Sequence, residues 1–215
     1  MSQSNTLLGQ LDGEMADVVS TARPSLVQIQ DGRRGTGAGT VLHADGLIVS
    51  NAHVVRNSTL EVITWDGQRA RGRLLARDRQ RDLAAIAVDL SGLPALPLSD
   101  SHPRAGQWVV ALGHPWGVRG AATAGMIIAV GQPAEPVPYA GPLLQVGLHL
   151  RPGHSGGPML DARGRLVGIN TMINGPHVGL AIPLQTVKRF LKEALGSDAR
   201  RRRHGGHRRA PLQVA

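Results

Sequence analysis

Short apolar runs, each closed by a turn signal within a few residues, restrict this chain to an antiparallel all-β architecture over most of its length. The runs include Leu26 to Gln30, Leu47 to Val55, Leu60 to Trp65, Leu83 to Val88, Trp108 to Leu112 and Met126 to Val130. Asp45-Gly46 and Asp66-Gly67 are hairpin signals, because glycine supplies the positive φ that tight turns between strands require. A chain of 215 residues can bury a sizeable core, and both a two-barrel fold and a single sandwich suit its length. From Pro183 the pattern becomes helical, with Leu184, Val187, Leu191 and Ala194 on one face, Phe190 and Leu195 beside it, and Gly196 as a stop. Internal repeats are not evident.

Gly153-His154-Ser155-Gly156-Gly157-Pro158 sets a serine between glycines, which would let the amides of Gly153 and Ser155 turn toward one point. Serine at its free pKa is a poor nucleophile and needs a base and oxyanion donors. In isolation the segment is a moderate signal, and a glycine-rich turn with an incidental serine is its alternative reading. A candidate base is His53, at the end of the strand Leu47-Ile48-Val49 in Ser50-Asn51-Ala52-His53-Val54-Val55. A candidate partner for its Nδ1 proton is Asp82, directly ahead of the apolar run Leu83 to Val88. Such an aspartate fixes the tautomer and stabilises the imidazolium. Taken singly, a histidine at a strand end is an ordinary core residue and an aspartate before a strand an ordinary turn residue. The combination argues for nucleophilic catalysis.

SNAHVV, RDLAAIAV and GHSGGP, in this order, resemble the three catalytic blocks of the HtrA (Deg) serine proteases, which are chymotrypsin-like enzymes. Other blocks fit the same family. Gly37 to Val41 resembles its GSGV, Ala111 to Gly117 its IGNPFG loop, Thr123 to Ile127 its TxGIV, Gly168 to Asn170 its GIN strand and Leu180 to Pro183 its FAIP. The resemblance covers roughly residues 22 to 195. It implies an all-β, chymotrypsin-like double β-barrel with a C-terminal helix: barrels over roughly 22–100 and 101–183, the helix over 184–195, an N-terminal extension over 1–21 and a basic disordered tail over 196–215. It also implies roles, with Ser155 as nucleophile, His53 as base and acid, Asp82 orienting His53, and Gly153 and Ser155 donating the oxyanion amides. Asp78 in the same turn is a rival to Asp82, which is preferred because it directly precedes the strand and aligns with the family's TDIAV.

Two positions depart from the family pattern. Asparagine usually precedes the serine, where this chain has His154; the imidazole is expected to point outward, the alternative being a shifted loop and an unformed oxyanion hole. Gly147 stands where the family often has aspartate. In the implied fold the segment Leu143 to Pro152 borders the primary specificity pocket, with Leu148, His149 and Leu150 as candidate substrate-binding residues. The two leucines, without an aspartate to receive a basic side chain, predict cleavage after small or medium aliphatic residues. His149 would narrow that pocket or make it polar.

The net charge of +9 is concentrated at the C-terminus, where Arg200 to Arg203, Arg208 and Arg209 supply six positive charges after the last acidic residue, Asp198. A solvated extension is the plain reading, and contact with nucleic acid or an anionic surface the sharper one, although no aromatic residues are interleaved for base stacking. No cofactor is expected. His204 and His207 offer weak metal affinity at most, and without cysteine, HExxH or an acidic ligand cluster no metal site is expected. Zero cysteines exclude disulfides.

No basic leader followed by an apolar run opens the chain, so a cytoplasmic location is expected as written, an extracytoplasmic one if a leader is missing. Too few residues follow the helix for a PDZ domain, which leaves substrate recognition to the cleft. Family resemblance suggests a homo-oligomer, a trimer, though residues 1 to 22 carry no aromatic residue for that contact. The expected function is an ATP-independent serine endopeptidase acting on exposed or unfolded polypeptides. The alternative is a catalytically silent polypeptide-binding or chaperone-like module.

Overall fold

The computed structural model describes residues 7–32, 36–175 and 177–204. Twelve strands form two closed six-stranded barrels. The first contains β1 (Leu26–Gln30), β2 (Thr36–His43), β3 (Leu47–Ser50), β4 (Thr59–Ile63), β5 (Arg69–Asp78) and β6 (Leu83–Val88), in the order β1-β2-β3-β6-β5-β4. The second contains β7 (Trp108–Gly113), β8 (Ala121–Gly131), β9 (Leu143–Gly147), β10 (Pro158–Asp161), β11 (Leu166–Ile173) and β12 (Val178–Pro183), in the order β10-β11-β12-β9-β8-β7. Neighbouring strands within each barrel run antiparallel. Closure leaves no open sheet edge among these strands. The double barrel agrees with the fold class expected from the sequence.

The apolar runs of strands such as β3, β6 and β10 are continuous, where a one-sided sheet would alternate, because these strands are covered on both faces, whereas β8 leaves Met126, Ile128 and Val130 exposed. Val27, Ile29, Val41, Ile48, Val62 and Ile86 fill the first barrel, and Val109, Ala111, Ile127, Val146, Met159 and Ala181 fill the second. The alternate residues Leu26, Leu47, Leu83, Leu112, Leu143 and Leu160 point outward into a third cluster shared by both barrels. Every residue of β3 and of β10 is buried as a result. Both anticipated hairpin turns form, with Gly46 at φ +88 and Gly67 at φ +90.

Two helices cover the shared layer. α1 (Leu7–Ala22), which the apolar spacing did not announce, packs Met15, Val18 and Val19 against it. α2 (Leu184–His204) buries Leu184, Val187, Phe190 and Leu191, the face that the helical spacing predicted. Its end differs from expectation, since the helix passes Gly196 and takes in residues 197–204, expected from the sequence to be a disordered tail. One glycine inside a helix costs only about 1 kcal/mol relative to alanine, and the alanines and arginines around it are strong helix formers. His207, Arg208 and Arg209 lie outside the described residues.

A second correction concerns the run Leu47 to Val55, because the strand stops at Ser50. The amides of Val54 and Val55 both donate to the Asn51 carbonyl, at 3.2 Å each, and wind the chain into a turn. That turn lifts His53 off the sheet. Among the described residues no helix is long and apolar enough to cross a membrane.

Candidate active site

His53 and Asp82 belong to the first barrel and Ser155 to the second, and Thr171 of β11 bonds to both sides, its hydroxyl to Asp82 and its carbonyl to Ser155. His53 lies in the turn after β3, and Asp82 in the turn between β5 and β6. Asp82 adopts φ +55, a left-handed conformation that aspartate tolerates better than most residues, and is 1% exposed. Its carboxylate accepts the His53 backbone amide at 3.0 Å and lies 2.9 and 3.0 Å from His53 Nδ1. With Nδ1–H donating to the carboxylate, Nε2 keeps a lone pair and can take a proton. The Asn51 side-chain amide donates to the Asp82 carbonyl at 3.0 Å, tying the two turns together. Asp78 plays a different part, accepting the amides of Gln80 and Arg81 at 2.9 and 3.0 Å and so capping the turn that presents Asp82.

Thr171 and Tyr139 were not foreseen. Thr171, on β11, donates its hydroxyl to Asp82 Oδ2 at 2.6 Å, a charge-assisted bond from the second barrel to the first. Its only sequence signal was its place directly after Gly168-Ile169-Asn170. Tyr139 stands in the loop between β8 and β9, where burial and then the charge of Asp82 push its phenol up to about 12. The same loop is fastened across the cleft by Ala140 N–H, which donates to the Gln80 carbonyl at 2.7 Å.

The serine loop begins with a type II turn. Arg151-Pro152-Gly153-His154 closes with His154 N–H on the Arg151 carbonyl at 2.9 Å, proline at the second position and Gly153 at φ +105 at the third. A side chain at Gly153 would also collide with the His114 carbonyl, 2.5 Å from its Cβ position. The Gly153 carbonyl is held by His114 N–H at 2.8 Å. Among the described residues the N–H groups of Gly153 and Ser155 have no acceptor, so both are free to serve a ligand. The Ser155 carbonyl accepts Ala38 N–H at 2.9 Å, which pins the loop to β2. Its hydroxyl donates to the Thr171 carbonyl at 2.8 Å, and its single proton is therefore turned away from His53.

His154 does not point outward as expected. It is 3% exposed, and its backbone passes close to Gly113, where a Cβ would lie 2.5 Å from His154 Cα. Its Nδ1 accepts Arg151 N–H at 3.1 Å, which buttresses the turn from inside. His114 is buried beside it at 3% exposure, and burial pushes its imidazole down to about 4. Burial likewise lowers the pKa of His154.

Leu148 and Leu150 are buried and pack within the second barrel, both against Gly179 of β12. His149 between them turns outward and meets His177 edge-on, with Nε2 and Nδ1 2.8 Å apart. It therefore stands apart from the two leucines with which it was grouped. Among the described residues no three His, Cys, Asp or Glu side chains cluster closely enough to hold a metal ion.

The chain is similar in sequence and fold to known proteins. Residues 37–169 match the family of trypsin-like peptidase domains. The chain is 36% identical over 162 residues to the serine protease HhoB of Synechocystis, covering 72% of this chain and 39% of that protein. It is 36% identical over 159 residues to a DegP-like periplasmic serine endoprotease of Halomonas elongata, covering 71% and 33%. With the mitochondrial serine protease HTRA2 of Drosophila pseudoobscura it shares 34% over 211 residues, covering 89% and 48%. The chain thus spans between a third and a half of the length of these relatives. Among solved structures, the serine endoprotease of Yersinia pestis superposes with a TM-score of 0.77 at 26% identity, covering 85% of this chain and 67% of that one. The HtrA-type protease AlgW with a tripeptide gives 0.77 at 30%, covering 85% and 64%. With two closed barrels and a glycine-flanked serine at their junction, the chain belongs to the trypsin-like peptidase family, in its HtrA/Deg branch.

Proposed function

We propose that this chain is a serine endopeptidase that hydrolyses exposed or unfolded polypeptides through an acyl-enzyme intermediate on Ser155. The observation that carries the reading is the buried Asp82 carboxylate, which holds His53 Nδ1 at 2.9 Å and leaves Nε2 to act as base. In this mechanism the Ser155 hydroxyl leaves the Thr171 carbonyl, which it meets at 2.8 Å, and turns to His53 Nε2 as substrate binds. Catalytic hydrogen bonds often tighten only when substrate is bound. His53 takes the serine proton as Oγ attacks the scissile carbonyl, and the oxyanion is received by the N–H groups of Gly153 and Ser155. Asp82 stabilises the imidazolium, which then protonates the leaving amine. Water, deprotonated by His53, releases the acyl group and restores the enzyme.

The preference is for a small or medium aliphatic residue before the scissile bond; its support is the absence of an acidic residue from the segment Leu143 to Pro152, since Leu148 and Leu150 themselves pack inside the second barrel. Peptides varied at that position, together with an unfolded protein substrate, test both parts of the reading. Preferred cleavage after aliphatic residues, abolished by Ser155→Ala, is expected. Preference for arginine or lysine would remove the aliphatic assignment. Folded wild-type protein that binds unfolded substrate without cleaving it would point to the polypeptide-binding module instead. With a DegP-like relative named as periplasmic, an extracytoplasmic location is the reading to test by cell fractionation.

A further inference from the structure

On the first-barrel side of His53 lies a cleft of about 420 Å³ lined by Ala52, His53, Arg56, Arg77, Arg79, Asp82 and Tyr139. Three arginine residues thus line, largely through their apolar stems, an opening that touches the proposed base. The acidic groups nearby are already engaged. Asp82 is buried and shared by His53 and Thr171, Asp78 pairs with Arg81, and the Asp31 carboxylate takes the amides of Arg56 and Asn57 and the Asn57 side chain. Arg77 is braced in place, its guanidinium donating to the carbonyls of Val55 and Arg56 at 3.1 and 2.8 Å. The Arg56 side chain donates to the His53 carbonyl at 3.4 Å, and its charge also acts on the Asp31 carboxylate, which leaves Arg79 as the main uncommitted charge. Arg79 has no hydrogen-bond or ion-pair partner among the described residues, and both Arg56 and Arg79 are exposed. A cleft with spare positive charge and a braced wall favours a carboxylate over a neutral or basic side chain.

We propose that this cleft is a substrate subsite for an acidic residue, and that Arg79 and Arg56 make the enzyme prefer polypeptides with Glu or Asp within three residues of the scissile bond. The inference rests on the endopeptidase reading and deepens it. The cleft includes His53 in its lining, so its charge acts on the segment being cut and adds a selectivity of its own. The ligand is an acidic side chain of the peptide substrate, because the cleft adjoins the site where peptide would react.

The test uses paired fluorogenic peptides with an aliphatic residue before the scissile bond and Glu, Gln or Lys at each of three positions on either side. Fluorophosphonate labelling of Ser155 in the same wild-type preparation reports the nucleophile separately. Expected at one or more positions is a kcat/KM for Glu roughly three- to tenfold above that for Gln, shrinking as salt is raised, as for partly exposed ion pairs. Arg79→Glu should reverse the order and favour Lys, a gain that misfolded protein could not produce. Equal rates for Glu and Gln at all positions in protein that labels normally would overturn the acidic subsite alone. Folded wild-type protein that fails to label would overturn the endopeptidase reading and the subsite with it.

Discussion

At the scale of single residues, the Asp82 carboxylate is the most heavily bonded group in the site, taking the His53 amide, His53 Nδ1 and the Thr171 hydroxyl. Asp82→Asn keeps the shape but lets an amide donate toward Nδ1, which favours the wrong tautomer; kcat is expected to fall by roughly four orders of magnitude. Thr171→Val removes the 2.6 Å donor from a buried charge and should lower kcat/KM by roughly ten- to a hundredfold, with KM little changed. Gly156→Ala meets a harder limit, because φ is +86 and the new Cβ would lie 2.0 Å from the Ala38 carbonyl. Its expected outcome is loss of peptidase activity in steady-state assays together with a lowered Tm. Ser155, His53 and Asp82 were legible because their flanking residues mark strand ends and a tight turn. Thr171 was not, since its role depends on a contact 89 positions away in sequence, and nothing local sets it apart from other strand threonines. His154 was misjudged for a related reason: the space that receives it is left by Gly113, on a different strand.

At the scale of elements, the serine loop and the loop after β7 form one unit, with His114 N–H on the Gly153 carbonyl and two buried imidazoles packed beneath the turn. His114 titrates at its ordinary value, 6.5, when unfolded and at about 4 when folded. The unfolded chain therefore binds the proton first as pH drops. The stability that neutral His114 contributes is complete above about pH 6.5 and is lost as pH falls toward 4, a decrement of about 3 kcal/mol, with His154 adding in the same direction. Urea unfolding between pH 7 and pH 4 should show this loss, and His114→Gln should flatten it; an unchanged slope in the variant would contradict the assignment. Strand legibility followed composition. β5 (RARGRLLARD) carries arginines on the barrel's outer face, and β2 places Gly39 where a Cβ would lie 2.9 Å from Val27, Ile29 and Ile48, so neither shows an apolar run. α1 escaped notice because only Met15, Val18, Val19 and Ala22 join the shared core.

At the scale of the whole molecule, the barrels and both helices share one apolar layer, so they should unfold together. Leu112 is fully buried in that layer, and Leu112→Ala is expected to cost about 2–5 kcal/mol while calorimetry still records a single transition; two separated transitions would show that the barrels are independent. The strand pattern alone did not choose between a sandwich and two barrels, because closure is fixed by long-range pairings such as β1 with β4 and β7 with β10. The resemblance to known proteases supplied that choice. The candidate site depends on this closure, since the bonds from Ala38 N–H to the Ser155 carbonyl and from Thr171 to Asp82 both cross between the barrels. The central claim is that Ser155 is an activated nucleophile served by His53. Intact-mass analysis after fluorophosphonate treatment of wild type, Ser155→Ala and His53→Ala tests it most directly. One adduct mapping to Ser155 in the wild type and absent from both variants is the expected result; folded wild-type protein that takes up no label, or label that persists in Ser155→Ala, would contradict it.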